Sequence, residues 1–103
     1  MPQIEVRTPH ALPPAEVAER LRRFGEALKE KHGDKVTLLK EEWLGETLDF
    51  SLLVQGITIS GKLTVSDQQV TVISKVPLTA MLFRGRIEKD IQSGIRDALA
   101  DNP

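Results

Sequence analysis

Few residues in this sequence are of the types that do chemistry. There are two histidines, one tryptophan and no cysteine, so thiolate nucleophiles, disulfides and cysteine-ligated metals are excluded. His10 and His32 stand in no metal-ligand spacing. His32 closes a predicted helix, where an imidazole commonly caps carbonyls. His10 follows a strand in a loop, a place suited either to binding or to loop packing. Glu41 falls at inward parity between Leu39 and Trp43. As a functional group it would be a buried acid; as a structural one it would be a charge that protects a sheet edge. Glu41 and Glu42 cannot act as a catalytic pair, because neighbouring strand residues point to opposite faces. Arg84, Arg86 and Lys89 could hold an anion, but they are spread around a helix, and Arg86 has Asp90 at i+4. No serine or threonine stands in a nucleophile elbow or triad pattern. No glycine-rich loop leads into a helix as a phosphate cradle does. The expectation is a protein that is not an enzyme and carries no metal and no cofactor.

The elements that must position these groups are organised around Glu46–Val76. Read at period two, this stretch is three strands in succession. Leu48, Phe50, Leu52 and Val54 share one face, which Ile57, Ile59, Leu63 and Val65 continue after a turn at Gln55-Gly56. Val70, Val72 and Val76 complete it after Asp67-Gln68. The alternate positions are mostly polar, the signature of an antiparallel sheet with one dry face. Two-residue turns set Val54 opposite Ile57, Leu52 opposite Ile59 and Phe50 opposite Gly61. They also set Asp49 against Lys62 on the wet face. A slip of one residue would turn every apolar side chain into water.

Gln3–Arg7 reads as a short strand, followed by a connector through Thr8 to Leu12. Pro13-Pro14 suits a helix start. From Ala15 to about Lys31, Val17, Leu21, Phe24 and Leu28 form one helical stripe, with Glu16-Arg20 and Glu19-Arg23 on the other face. Val36–Trp43 is an edge strand whose expected inward residues are Thr37, Leu39, Glu41 and Trp43. Leu44-Gly45 turns into the meander. After Pro77 a second helix is expected over roughly residues 79–100. Its stripe is Ala80, Phe83, Ile87, Ile91, Ile95 and Ala98, and Gly94 within that stripe allows a close approach to the sheet or the first helix. The order β-α-β-β-β-β-α predicts a two-layer α+β sandwich. In it, an antiparallel sheet of about five strands carries two helices on one face, and the N-terminal strand lies beside the last one. Residues 1–103 form a single domain. This architecture resembles a reduced helix-grip fold of the kind that holds apolar ligands, although fold does not fix function.

Composition narrows the classes of partner. Fourteen basic residues nearly cancel fifteen acidic ones, for a net charge of −1. Neither nucleic acid nor an anionic membrane is favoured, and scarce aromatics weaken any base-stacking role. The longest unbroken apolar run, Ala80 to Phe83, is far short of a membrane span. The first residues, MPQIEVR, lack the apolar core of a signal peptide. A cytoplasmic protein is expected.

Several of these residues carry a family resemblance. His10-Ala11-Leu12 precedes a long helix, and Trp43-Leu44-Gly45-Glu46-Thr47-Leu48-Asp49-Phe50 follows it. Then come Gly56-Ile57, Gly61-Lys62-Leu63-Thr64-Val65, and a closing helix with Ile87-Glu88 and Ile91. The chain thereby resembles the small bacterial polyhydroxyalkanoic acid system proteins. Its most specific part is W-x-G-[DE]-x-L-x-F. It departs from the pattern at Val76-Pro77-Leu78, where a Leu-Gly is usual, and in a long segment from Asp34 to Glu42. The resemblance implies association with polyester storage and brings no catalytic residues, so the leading expectation is a non-catalytic binding or regulatory module with polyhydroxyalkanoate granules or their enzymes as partners. Two other readings stay open. One is a carrier of an apolar acyl or hydroxyacyl ligand between sheet and helices, with Trp43 near the mouth. The other is a dimerisation module built on Leu53 and Ile73, so the chain is expected to be a monomer or a homodimer. The candidate binding residues are His10, Glu41, Trp43, Arg84 and Arg86.

Overall fold

The computed structural model describes residues 3–100, except for the side chains of Lys31 and His32. The capping role expected of His32 therefore lies outside the described residues. The elements are β1 (Gln3–Pro9), α1 (Pro14–His32), β2 (Val36–Leu44), β3 (Thr47–Val54), β4 (Ile57–Val65) and β5 (Gln69–Lys75). A 3₁₀ segment, Leu78–Phe83, then leads into α2 (Arg84–Leu99). The five strands form one antiparallel sheet in the order β1-β5-β4-β3-β2. The N-terminal strand thus lies beside the last one, as the sequence predicts, and the two helices complete an α+β sandwich.

The meander has the register that its apolar alternation demands. Val54 pairs with Ile57, Leu52 with Ile59 and Phe50 with Gly61; Leu63 pairs with Val72 and Val65 with Val70. Asp49 and Lys62 approach to 3.9 Å on the outer face. At the β3–β4 turn Gln55 and Gly56 have φ of 52° and 79°. Positive φ at both central residues is the primed turn whose twist suits a hairpin.

Three expectations need correction. β1 runs on through Thr8 and Pro9, which pair with Val70 and Gln69; the proline costs no ladder bond at a sheet edge. In β2 the register jumps between Leu38 and Lys40. That bulge takes up Leu39, which is 54% exposed. Upstream of it the parity is reversed: Val36 and Leu38 turn inward while Thr37 turns out, and Glu41 and Trp43 keep their inward side. An uninterrupted strand would have set Val36 and Leu38 in water, and one extra residue resolves the conflict. The third correction is to the last helix. It is α-helical only from Arg84, and 3₁₀ winding before it shifts the angular phase. Phe83 leaves helical geometry (φ −107°, ψ 19°) and is 58% exposed rather than part of the buried stripe.

The core is densest where the N-terminal half of α1 meets the C-terminal half of α2. Val17, Leu21, Ile95 and Ala98 are buried there over Ile4, Val6, Val70 and Val72. Arg20 Nη1 donates to the Leu99 carbonyl at 2.7 Å and ties the helices together. Glu16 lies 4.0 Å from the same arginine, and Glu19 pairs with Arg22 at 3.5 Å rather than with Arg23.

At Gly61 the backbone of the neighbouring strand lies close. A Cβ there would collide with the Ile73 carbonyl oxygen and come within 2.9 Å of the Ser74 Cα. Backbone cannot swing aside as a side chain can. Gly61→Ala should therefore cost about 3 kcal/mol, the upper end for overpacking. Urea denaturation checks this, and a midpoint equal to the parent's would show that the strands separate freely at this point.

Candidate functional site

Away from the dense end, the two helices no longer fill the space above the sheet. Phe24 of α1 packs on Gly94 of α2, where an added Cβ would lie 3.5 Å from the ring. This is the close approach to the first helix that the glycine in the stripe predicts. Beyond that contact lies a cavity of about 440 Å³. Its floor is the inner face of the sheet, notably Phe50, Leu52, Ile59 and Val72. Leu28 walls it on the α1 side and Ile87 and Ile91 on the α2 side. Val36 and Leu38, turned inward by the bulge, close its β2 flank.

Among the described residues, three charged side chains line this space: Lys29, Glu41 and Asp90. Glu41 sits on β2 opposite Phe50, with its side chain 19% exposed, and its Oε1 lies 3.2 Å from Lys29 Nζ. Its other oxygen, Oε2, lies over Gly25, 3.0 Å from where a Cβ would stand, so the missing side chain on α1 makes room for the carboxylate. Lys29 also reaches Glu26 Oε1 at 3.4 Å. The hydrogen bond and the charge of Glu41 hold the Lys29 ammonium above its ordinary 10.5. A raised lysine pKa stabilises the fold fully below the ordinary value, and the contribution fades only as pH climbs through the folded one. Lys29 therefore keeps its charge at neutral pH. Asp90 faces solvent and lies 3.8 Å from Arg86.

Of the five candidate residues, Glu41 alone lines the cavity. His10 works as a clip. Its Nδ1 accepts from the Leu12 amide at 3.2 Å, so Nε2 carries the proton and donates to the Ser66 carbonyl at 2.7 Å. Arg84 is bonded to Glu88 at 2.8 Å, and Arg86, 83% exposed, faces Asp90 along α2. Trp43 is half-buried against the core edge rather than at the cavity mouth, with the Arg22 guanidinium 4.9 Å from its ring centre. Leu53 and Ile73 pair with Thr58 and Lys62, well apart along β4, so they do not form one continuous apolar patch. Sequence reasoning missed Lys29. Its one signal is the i,i+4 spacing from Gly25 on the inward side of α1. Among the described residues no group of three or more histidines and carboxylates is placed to hold a metal. No described helix is long and apolar enough to cross a membrane.

Solved structures with this arrangement include the crystal structure of TTHA0849 from Thermus thermophilus. It has a TM-score of 0.58 at 14% identity, covering 95% of this chain and 94% of that one. The solution structure of the Aha1 dimer from Colwellia psychrerythraea gives 0.58 at 15%, covering 96% of each chain. The crystal structure of Ara h 8.0201 gives 0.57 at 13%, covering 98% of this chain and 99% of that one. At such identities the likeness carries the fold alone. No curated protein sequence matches the chain. A family model does, over residues 4–99, with the description "Putative polyhydroxyalkanoic acid system protein".

The position of Trp43 makes its role testable. A fully buried tryptophan lost to alanine costs about 3–5 kcal/mol. This ring is half-buried, and the Arg22 contact adds about 0.5–1 kcal/mol. Trp43→Ala should lower stability by roughly 2–3 kcal/mol, read as a shift in the chemical denaturation midpoint. An unshifted midpoint would mean that the ring serves a partner instead.

Proposed function

The chain belongs to the polyhydroxyalkanoic acid system protein family, and from that premise we propose that it is a non-catalytic binding protein of polyhydroxyalkanoate storage metabolism. It holds an acyl or hydroxyacyl chain in the cavity between sheet and helices. The observation that carries this reading is the cavity itself. Its volume of about 440 Å³ falls within the range of small-ligand sites, roughly 300–1,000 Å³. Its described walls are apolar apart from one ammonium and two carboxylates, the pattern of an apolar site with few placed polar groups. Among the described residues the lining holds no hydroxyl, imidazole or thiol side chain, which favours binding over group transfer. Each methylene buried contributes about 0.8 kcal/mol, so a medium-length chain gains enough to bind after its ordering costs.

A second observation favours contact with the granule surface. Leu78, Leu82 and Phe83 on the 3₁₀ segment are 76%, 87% and 58% exposed. This segment leaves β5 beside the β3–β4 hairpin, the end of the sheet where Val54, Ile59 and Ile87 line the cavity. An apolar prow at that end would set the cavity against a polyester surface.

Calorimetric titration with methyl octanoate should give a Kd on the order of 10–100 µM. Ile91→Trp, which fills the cavity, should abolish the heat while the protein stays folded. No binding to the parent chain would overturn the carrier reading. For the prow, a fluorescently tagged Leu78→Ser, Leu82→Ser, Phe83→Ser variant should become diffuse in polymer-accumulating cells where the parent decorates granules. A parent that is itself diffuse would refute granule contact.

A further inference from the structure

We infer that the cavity selects neutral acyl chains bearing a hydroxyl group over free fatty acid anions, with Glu41 accepting the hydroxyl hydrogen bond. This rests on the carrier reading above and names the ligand class for the same site. Glu41 is a carboxylate set in an apolar wall, opposite Phe50 and next to the cavity. A carboxylate offers about four lone-pair sites, and the Lys29 ammonium at 3.2 Å engages one oxygen. That contact fixes the group's orientation and leaves acceptor capacity on Oε2, which lies over Gly25 at the cavity wall. A plain acyl chain has no donor to offer there. A hydroxyl does.

The charges around the site disfavour the obvious alternative, an anionic head held by Lys29. That ammonium already faces two carboxylates, Glu41 at 3.2 Å and Glu26 at 3.4 Å. Asp90, the other charged residue on the wall, faces Arg86 at 3.8 Å. An entering carboxylate would therefore meet two acidic groups and one basic one on the wall, and that one cation is already engaged by two carboxylates. An ester or amide head carries no charge and meets no such repulsion. A hydrogen bond to an ionised acceptor is among the stronger neutral-ligand contacts, so it should weigh visibly in affinity.

The experiment is a calorimetric comparison at pH 7 of methyl 3-hydroxyoctanoate, methyl octanoate and octanoate on the whole chain. The hydroxy ester should bind roughly tenfold more tightly than the plain ester, and octanoate more weakly than its ester. In Glu41→Leu the hydroxyl advantage, read as the ratio of the two esters' Kd values in that variant, should fall to within twofold. Glu41→Gln keeps the side chain's shape if the leucine variant misfolds, and should lose most of the advantage. Equal binding of the two esters, tighter binding of octanoate, or an advantage that survives both substitutions would overturn the inference and leave the carrier reading standing. Absence of binding by all three would overturn the carrier reading itself.

Discussion

The structure depends on a mismatch of areas. The inner face of five strands must be shielded from water, and among the described residues two helices serve that purpose. The helices satisfy one half of the sheet completely. Arg20 ties α1 to the end of α2 through the Leu99 carbonyl, and Phe24 seats on Gly94. That pairing buries Val17, Leu21, Ile95 and Ala98. It also commits the helices to one place, so that Leu28 on α1 and Ile87 on α2 are left flanking open space.

The edge strand β2 shows how a local irregularity serves the site. Without the bulge at Leu39, one parity would bury Lys40 and Glu42, and the other would turn Val36 and Leu38 outward. The bulge lets the first part of the strand line the cavity with apolar groups and the second part deliver Glu41. It also twists and interrupts the edge, which discourages pairing with another sheet. The inward carboxylate is balanced by Lys29, from a different element and of opposite charge. A half-buried charge near apolar walls needs such a partner.

The sheet was legible where a single physical rule governs it. Strands β3 to β5 obey period-two alternation with tight turns, and a register error there would expose a whole row of valines and isoleucines. β2 was only half legible, because a bulge leaves no mark on composition and its purpose appears only when both parities are weighed against the neighbouring strand. The start of the last helix was illegible for a similar reason. The sequence after Pro77 is apolar enough for an α-helix, but 3₁₀ winding rotates Phe83 out of the stripe. Of the site, Glu41 stood out as a charge at inward parity, whereas Lys29 looked like any basic residue on a solvated helix. The cavity had no sequence signal of its own beyond glycines on inward helical positions, since hollowness is a property of how far apart packed elements come to rest.

That hollowness bears on energetics. Deleting core volume costs about 24 cal/mol for each Å³ of cavity left sealed and dry. A void of about 440 Å³ would on that scale cost about 10 kcal/mol, comparable to the whole stability of a typical domain, about 5–15 kcal/mol. A chain of 103 residues cannot sustain such a void as a closed apolar bubble. The half-buried state of Leu52, Val54, Ile59 and Ile87 is the other side of this fact: the space communicates with solvent rather than being sealed. Among the described residues, water admitted there meets Lys29, Glu41 and Asp90 as charged side-chain partners, and apolar walls hold water poorly. An apolar chain displacing that water would bury the exposed faces of these residues without moving the sheet. Occupation would then complete a core that two helices leave unfinished, and a ligand bound only by the folded state raises stability by mass action. The incomplete lid and the capacity to bind are thus one feature of the fold, seen with and without an occupant.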